Sequence, residues 1–463
     1  MTYDFAIIGG GSAGYAAART AMGLGLNTVV IDGASELGGL CILRGCMPSK
    51  TLLATASRAT SIRRAAEFGL RAGVLEVKGE EILQRKRRLI GEFADYRRQQ
   101  LEHGKFKLVR GMASFTGPHM VEVQLREGGI ERIEARAFLL ASGSVVSPVP
   151  VPALTDAGVW TTDDALDAAH VPESMIVLGG GPTAVEFATY YAGLGRRVTI
   201  IQRSPHLLTG TDVDVAEALR EGLCGRGVEV FTGTRLLDAQ RTTSGKSVTF
   251  EHEGVRKTVE AEQMLHALGR RPAFARLGLE DAKVRITSGM IDVRPTQQTS
   301  QPHIFAAGDV AGPYEIVHIA IQQAEAAARN AARVLAGHSS DLEEVDYRLK
   351  LYAIFSDPEV AVCGASECEL NDAKVPYRSA KYPFNDHGKS MCIGETDGFV
   401  KLMVAAEGGE ILGAAVVGPH AAELIHEIVV AMRFRANAKQ LAETPHYHPT
   451  LSEIWSYPAE ELA

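Results

Sequence analysis

Two segments of the chain repeat one pattern, an apolar strand that runs into a glycine-rich turn and then into an alanine-rich helix. "YDFAIIGGGSAG" begins at residue 3 and "SMIVLGGGPTAVE" begins at residue 174. This pattern is typical of the opening of a βαβ unit whose turn binds the phosphates of a dinucleotide. One such motif is weak evidence, but two copies in the same local context indicate two dinucleotide sites. The turn residues concerned are Gly9, Gly11 and Gly14 in the first copy, and Gly179, Gly181 and Ala184 in the second.

The residue expected to meet the adenosine ribose differs between the two copies. In the first unit the second strand "TVVID" ends in Asp32, and an acidic side chain there accepts hydrogen bonds from ribose hydroxyls. The corresponding position in the second unit is Gln202, which is followed by Arg203. An arginine at this place accommodates the 2′-phosphate of NADP. The sequence therefore predicts different dinucleotides at the two sites, with NADP preferred to NAD at the second.

Three more segments read as strands that end in a turn. "TSQPHIFAAGDV" stops at Gly308 and Asp309, where a carboxylate can bind a polyol, while "LLASGS" and "HALGRRP" place Gly143 and Gly269 at crossings between nucleotide-binding domains. From about residue 341 onward, short β-like runs such as "PEVAVCG" alternate with "AAELIHEIVVAMRF", whose apolar residues have helical spacing. This last part of the chain is predicted to form a separate α+β domain.

Length and composition narrow the class of protein. The 463 residues suggest about three domains at ~150 residues each. A net charge of −8 without a long basic run argues against nucleic acid as a partner, and no apolar run of about 18 residues predicts a membrane span. The first residues do not have the pattern of a signal peptide. Six cysteines are too few for a secreted disulfide scaffold, so we expect a reducing, cytoplasmic compartment.

The stretch "GGLCILRGCMPSK" raises the question of what Cys41 and Cys46 do. A structural disulfide, a metal site and a redox centre are the three candidates. A cytosolic disulfide is usually catalytic or redox-sensing, which weakens the first candidate. A zinc site normally needs a second Cys or His pair, and none lies near this one, so no metal is expected.

The motifs, taken in order, resemble those of the FAD-dependent pyridine nucleotide–disulfide oxidoreductases, the group of dihydrolipoyl dehydrogenase, glutathione reductase and mercuric reductase. The order is an FAD fingerprint, CxxxxC before PSK, a second glycine motif, AxGD and a C-terminal HPTxxE. The resemblance implies an α/β fold with two Rossmann-like dinucleotide-binding domains and a C-terminal α+β dimerisation domain. It implies an FAD-binding domain at 1–147 and 275–340, an NAD(P)-binding domain at 148–274 and an interface domain at 341–463.

The same resemblance implies the cofactors and where they bind. FAD would bind at Gly9, Gly11, Gly14, Asp32, Lys50, Gly143 and Asp309. A nicotinamide cofactor, NADP or NAD, would bind at Gly179, Gly181, Ala184, Gln202, Arg203 and Gly269. The partners it implies are a small disulfide, dithiol or lipoyl substrate and a second copy of the chain, with each active site shared between the two subunits.

Within this family the thiol pair is the redox centre, with Cys46 nearer the flavin and Cys41 exchanging with substrate. Two residues at this spacing in a regular α-helix have Cα atoms ~8–9 Å apart, whereas a disulfide needs less than about 7 Å. The helix must therefore be irregular between the cysteines, and Gly45 is the residue that permits it. The resemblance also pairs Lys50 with Glu186, which would place a positive charge beside the reduced flavin.

The segment "HYHPTLSE" supplies the acid–base group that thiol–disulfide exchange needs near neutral pH. His448 and Glu453 have the spacing of the family's catalytic pair, in which the carboxylate orients the imidazole and raises its basicity. The resemblance implies that this pair reaches across the dimer to the other subunit's cysteines. His446 matches a second histidine of the lipoyl-type members.

Some residues depart from the family pattern, and others bear on which member of the family the chain resembles. Leu40 and Leu43 replace the usual Thr and Asn, and Arg44 is also unusual, so the substrate and the redox potential are open. A second CxxxxC, Cys363 and Cys368, is interpreted as structural. The sequence "HYHPTLSE" is most similar to the corresponding segment of dihydrolipoyl dehydrogenase. The alternatives are an NADPH-dependent reductase of the mercuric or glutathione type, and a subunit docked in a 2-oxo-acid dehydrogenase complex.

Overall fold

The computed structural model describes residues 2–463, which form two compact units. Unit 1 contains the residues up to Ser49 together with Gln84–Ser147 and Arg270–Asp346. Unit 2 contains Lys50–Leu83, Pro148–Gly269 and Tyr347–Ala463. Both units are therefore assembled from segments that are far apart in the sequence.

The strands alternate with helices along most of the chain. In chain order the strands are β1 (Thr2–Ile8), β2 (Thr28–Asp32), β3 (Lys107–Gly117), β4 (Met120–Leu125), β5 (Ile130–Leu140), β6 (Ser144–Val146), β7 (Ser174–Leu178), β8 (Arg197–Ile201), β9 (Glu229–Phe231), β10 (Arg235–Arg241), β11 (Lys246–His252), β12 (Val255–Ala261), β13 (Gln263–His266), β14 (Arg270–Pro272), β15 (Ile286–Thr287), β16 (Met290–Ile291), β17 (Ile304–Ala306), β18 (Leu351–Ile354), β19 (Glu359–Gly364), β20 (Tyr377–Pro383), β21 (Phe399–Ala405) and β22 (Ile411–Gly418).

The helices vary widely in length. They are α1 (Ser12–Gly23), α2 (Gly39–Leu43), α3 (Cys46–Arg63), α4 (Gly79–Glu102), α5 (Pro152–Asp156), α6 (Thr162–Asp167), α7 (Pro182–Gly193), α8 (Val213–Gly225), α9 (Val317–Leu335), α10 (Glu367–Asp372), α11 (Gly388–Ile393), α12 (Ala421–Arg433), α13 (Ala438–Ala442) and α14 (Ser456–Leu462). Short 3-10 turns cover Arg64–Phe68, Gly308–Val310, Tyr347–Leu349, Phe384–Asp386 and Ser452–Trp455. Among the helices of residues 2–463, none is long and apolar enough to cross a membrane.

Unit 1 is built on a parallel sheet in which β3, β2, β1, β5 and β17 are neighbours in that order. Strand β4 pairs antiparallel with the remaining lengths of β3 and β5. Successive residues of β1 face opposite sides, so Phe5 and Ile7 pack with the alanines of α1 and α9, while Ala6 and Ile8 join the core on the other face. A sheet buried on both faces explains the continuous apolar runs of its strands.

Unit 2 holds the second glycine motif and the C-terminal α+β part of the chain. Its parallel sheet has the order β13-β7-β8-β9, and a separate antiparallel sheet has the order β10-β11-β12. The C-terminal part is a five-stranded antiparallel sheet, β18-β19-β22-β21-β20, whose core includes the fully buried Trp455 and the apolar face of α12. The predicted fold class is confirmed, with two Rossmann-like sheets and a C-terminal α+β portion.

Candidate functional site

The first glycine turn lies at the carboxyl end of β1. The Gly9 N–H donates to the carbonyl of Ile31 at 2.8 Å. Gly9 has φ of +110°, and a Cβ there would lie 2.3 Å from the Ala141 carbonyl oxygen. A Cβ on Gly14 would lie 1.8 Å from the Gly9 carbonyl oxygen. Only glycine fits these two positions, because the turn is closed by backbone atoms on both sides.

The second glycine turn repeats this geometry in unit 2. The Gly179 N–H donates to the carbonyl of Ile201 at 2.9 Å. Gly179 has φ of +114°, and a Cβ there would lie 2.4 Å from the Ala267 carbonyl oxygen. At the third position, however, the fully buried Ala184 carries its own Cβ. The matching hydrogen bonds establish that Asp32, after Ile31, and Gln202, after Ile201, occupy equivalent positions.

Asp32 is buried and held by the turn it follows. Its Oδ2 accepts the N–H of Gly10 at 2.8 Å, and its Oδ1 accepts the N–H of Ala34 at 2.9 Å. Gly11 precedes α1, and a Cβ on it would have only the Gly39 Cα within 4 Å, at 3.6 Å. The turn therefore leaves room for a diphosphate beside the free N–H groups at the start of a helix, with a carboxylate near the ribose. These residues fit the dinucleotide expected at the first site.

Asp309 lies in the 3-10 turn Gly308–Val310 that follows β17 in the same unit. Its Oδ2 accepts the hydroxyl of Ser144 at 2.6 Å, and the Ser144 Oγ accepts from Nε of Arg270 at 2.8 Å. The hydroxyl of Ser142, next to Gly143, is buried without a hydrogen-bond partner in the protein. A carboxylate and an unsatisfied hydroxyl in this region suit the polyol portion of a flavin dinucleotide.

The side-chain amide of Gln202 has different hydrogen-bond partners from the carboxylate of Asp32. Its Oε1 accepts the N–H of Arg203 at 3.1 Å, and its Nε2 lies 3.4 Å from the carbonyl of His206. The side chain of Arg203 is exposed. Arg196, which precedes the first residue of β8, forms an ion pair with Glu173. Arg203 is therefore the arginine beside Gln202 that is available to a ligand phosphate.

The cysteine segment packs directly on the first glycine turn. Helix α2 ends at Leu43 and α3 begins at Cys46, so the helix is broken between the two cysteines as the spacing predicts. A Cβ on Gly45 would lie 3.3 Å from the Cys41 Cα, which brings the start of α3 against the turn that carries Cys41. A Cβ on Gly39 would lie 2.6 Å from the Gly11 Cα. Glycine at both positions lets the thiol segment approach the dinucleotide turn.

Lys50 and Glu186 form a close ion pair in unit 2. The Lys50 Nζ donates to both carboxylate oxygens, at 2.7 and 2.9 Å, and the Glu186 side chain is nearly buried. Glu186 Oε1 also accepts the N–H of Phe355 at 3.2 Å, and the Lys50 ammonium lies 4.7 Å from the centre of the Phe355 ring. Phe355 thus holds both charged groups in place, a contact that the sequence motifs do not reveal.

The C-terminal histidine and glutamate meet at the 3-10 turn Ser452–Trp455. The Nδ1 of His448 lies 2.9 Å from Oε2 of Glu453. The His448 side chain is 81% exposed, whereas that of Glu453 is 11% exposed. Because a carboxylate accepts hydrogen bonds, this contact assigns the proton to Nδ1 and leaves the Nε2 lone pair directed outward. A second pair joins Nε2 of His446 to Oε1 of Glu427 at 2.6 Å.

The two cysteines of the second CxxxxC lie in different environments, one buried and one exposed. Cys363 lies on β19 and is fully buried, and burial raises the pKa of its thiol to about 12. Cys368 lies on α10 and is exposed. Its thiol faces Asp372, whose charge raises the thiol pKa. Neither cysteine is thiolate at neutral pH, which agrees with a structural role.

Comparison with known proteins gives a consistent result over the whole chain. The family described as "Pyridine nucleotide-disulphide oxidoreductase" matches residues 3–324, and its dimerisation domain matches residues 351–458. A dihydrolipoyl dehydrogenase of Geobacillus stearothermophilus is 33% identical over 99% of this chain and 97% of that protein. One from Thermus scotoductus is 34% identical over 100% and 97%.

Solved structures share the same architecture. LpdA of Mycobacterium tuberculosis matches with a TM-score of 0.87 and 29% identity, over 99% of this chain and 100% of that one. The flavoprotein disulfide reductase RclA of Escherichia coli, in a Cu(II) complex, matches with a TM-score of 0.85 and 24% identity over the full length of both chains. The second likeness is one of fold.

Proposed function

Because the chain belongs to the pyridine nucleotide–disulphide oxidoreductase family, we propose that it transfers electrons between NAD(P)H and a disulfide or dithiol substrate with dihydrolipoyl dehydrogenase-like activity. Membership makes it an FAD-dependent oxidoreductase with a pyridine nucleotide as the second cofactor. The observation that carries the proposal is the close packing of the Cys41–Cys46 segment on the first glycine turn, where Gly39 meets Gly11. That packing suits a thiol pair that exchanges electrons with a dinucleotide.

Two bond exchanges then reduce the substrate. The Cys41 thiolate attacks one sulfur of the substrate disulfide, a new sulfur–sulfur bond forms and the first substrate thiol leaves. The Cys46 thiolate attacks the Cys41 sulfur, which releases the second thiol and closes the Cys41–Cys46 disulfide. Two electrons from NAD(P)H, which FAD carries when it is bound, restore the dithiol. In the dehydrogenase direction the same exchanges run backward.

His448 holds and moves the proton that this chemistry needs. A leaving thiolate takes a proton from the imidazolium, and the imidazole takes it back when a substrate thiol must become the nucleophile. Glu453, hydrogen-bonded to Nδ1, orients the ring and stabilises the imidazolium. In the homodimer that we propose, His448 of one protomer serves the cysteine pair of its partner. Lys50, fixed by Glu186, would supply positive charge beside the reduced cofactor.

The proposal extends to the organisation of the chain. We assign FAD binding to residues 1–147 and 275–340, NAD(P) binding to 148–274 and dimerisation to 341–463. The match of a dimerisation domain to residues 351–458 supports the last assignment. We also propose that the enzyme works in the reducing environment of the cytoplasm, where a thiol pair of this kind cycles rather than staying oxidised.

The cofactor preference gives the experiment that tests this proposal. With disulfides such as lipoamide and glutathione disulfide as acceptors, we expect kcat/KM to be higher for NADPH than for NADH, because Arg203 can bind the 2′-phosphate. In Arg203→Ala and Gln202→Glu the preference should fall by an amount equivalent to about 1–3 kcal/mol, the contribution of a charged hydrogen bond. Disulfide reduction with either cofactor supports the proposed reaction. The ratio of kcat/KM with NADPH to kcat/KM with NADH tests the role of Arg203.

Arg197→Ala is the matched control, since Arg197 is also an exposed arginine of this sheet but lies at the opposite end of β8. The Arg197→Ala variant should have the same preference for NADPH over NADH as the wild type. A wild type that prefers NADH about tenfold would reject the NADP assignment. Absence of disulfide reduction with both cofactors would reject the proposed function itself.

A further inference from the structure

A second histidine contacts the carboxylate that orients His448. The side chain of His387 is 0% exposed, and its Nε2 lies 3.4 Å from Oε1 of Glu453. The other oxygen, Oε2, lies 2.9 Å from Nδ1 of His448. One buried carboxylate therefore has an imidazole at each oxygen, one fully buried and one exposed. No motif in the sequence marks His387, which follows the 3-10 turn Phe384–Asp386.

The surroundings of His387 define its protonation. Its Nδ1 lies 2.8 Å from the hydroxyl of Ser390, which is also fully buried. Burial lowers the pKa of His387, and the Glu453 carboxylate only partly offsets that effect. The ring is therefore neutral near pH 7. When the Ser390 hydroxyl donates to Nδ1, the ring proton resides on Nε2, which has no hydrogen-bond partner and lies 3.4 Å from Oε1 of Glu453.

The other polar groups around this histidine do not compete for that proton. The Tyr457 ring meets His387 edge to face, with ring centres 6.4 Å apart, and is itself stacked on Tyr382. The Tyr382 hydroxyl donates to the backbone carbonyl and to Oδ2 of Asp386, so that carboxylate is engaged. Glu453 is left as the one anionic group, among residues 2–463, that makes an ion-pair contact with His387.

We propose that His387 is a positioning residue. It interacts with one oxygen of Glu453, and thereby lowers the proton affinity of the His448 imidazole at the other oxygen. The positive end of an Nε2–H dipole 3.4 Å from Oε1 stabilises the carboxylate as an anion through space and draws its charge toward Oε1. Less negative charge is then available at Oε2 to stabilise the His448 imidazolium. The inference rests on the proposed function, since it gives His448 the acid–base role, but it concerns how readily that histidine gives up its proton.

The test measures the proton affinity of His448 without turnover. Diethyl pyrocarbonate acylates neutral imidazole, so the rate at which the His448 peptide is modified, followed by mass spectrometry against pH, gives the midpoint of its titration. In His387→Leu we expect this midpoint to rise by up to about half a pH unit, less than the equivalent of one ordinary hydrogen bond, because the contact at 3.4 Å is electrostatic. In His387→Gln, whose amide can donate in place of Nε2, it should return toward the wild-type value.

His303→Gln is the control, because His303 is half-buried in unit 1 and bonds the Pro118 carbonyl, so its loss should leave the midpoint unchanged. Ser390→Ala keeps the His387 ring but removes the hydroxyl that fixes which ring nitrogen carries the proton. This variant should raise the midpoint by a smaller amount than His387→Leu does. It decides the question if His387→Leu does not fold. An unchanged midpoint in the folded variants overturns the inference, as does a His387→Gln value equal to that of His387→Leu. A wild type that reduces no disulfide would overturn only the proposed function, because the acylation rate does not depend on turnover.

Discussion

Serine at position 41 or position 46 is expected to reduce turnover with disulfide substrates by at least about 10³-fold. A hydroxyl cannot form a sulfur–sulfur bond, so Cys41→Ser removes the atom that receives the substrate sulfur, and Cys46→Ser removes the atom that releases it. Steady-state kcat with lipoamide and NAD(P)H measures the loss. In Cys46→Ser the mixed disulfide on Cys41 should accumulate and be detectable as a mass increase of the intact chain.

The second CxxxxC provides a matched control with the same spacing. Cys368 is exposed on α10, so Cys368→Ser should keep full activity, and Cys363→Ser should lose stability rather than catalytic competence because its thiol lies in the core. The assignment of the redox pair would be wrong if either variant at Cys41 or Cys46 retained substantial disulfide turnover. It would also be wrong if Cys368→Ser lost as much activity as Cys41→Ser.

Removal of the His448 imidazole is expected to lower disulfide turnover by ~10²–10⁴-fold, the usual contribution of a positioned acid–base group. Reduction of the oxidised enzyme by NAD(P)H should continue in His448→Ala, because that half of the cycle does not protonate the substrate. Single-turnover measurements of each half-reaction separate the two effects. Glu453→Gln should show a smaller loss, since the neutral amide still bonds the ring but no longer stabilises the imidazolium by its charge.

His446 offers the control for this prediction, since it lies two residues from His448 and is likewise paired with a glutamate, Glu427. Its side chain is 9% exposed, in contrast to the exposed His448. We expect His446→Ala to affect disulfide turnover less than His448→Ala does. Equal losses in the two variants, or undiminished turnover in His448→Ala, would remove His448 from the acid–base role.

The features that sequence could predict are those in which the chemistry lies within a short stretch of chain. The glycine turns are predictable because their backbone geometry admits no Cβ at Gly9, Gly14 and Gly179. The break between α2 and α3 follows from the spacing of Cys41 and Cys46. The contact of His448 with Glu453 lies within one motif. The functional roles of these residues remain predictions.

Other contacts join residues that no local pattern connects. His387 reaches Glu453 from a different part of the C-terminal region, and Phe355 reaches Glu186 from the start of the C-terminal sheet. The contact of Gly39 with Gly11 depends on how α2 packs against the turn before α1. Each arises from tertiary packing, in which side-chain size and backbone approach are decided by neighbours distant in sequence. A single sequence contains no periodicity or spacing that reports such contacts.

The thiol state of Cys41 and Cys46 before and after addition of NAD(P)H shows whether this pair carries electrons between cofactor and substrate. Under anaerobic conditions, the oxidised enzyme is alkylated with one reagent, reduced with NAD(P)H, alkylated with a second reagent and mapped by peptide mass spectrometry. We expect both cysteines to resist the first reagent and to take the second, while the exposed Cys224, Cys368 and Cys392 take the first. If NAD(P)H left the labelling of Cys41 and Cys46 unchanged, the claim that this pair carries electrons between cofactor and substrate would be contradicted.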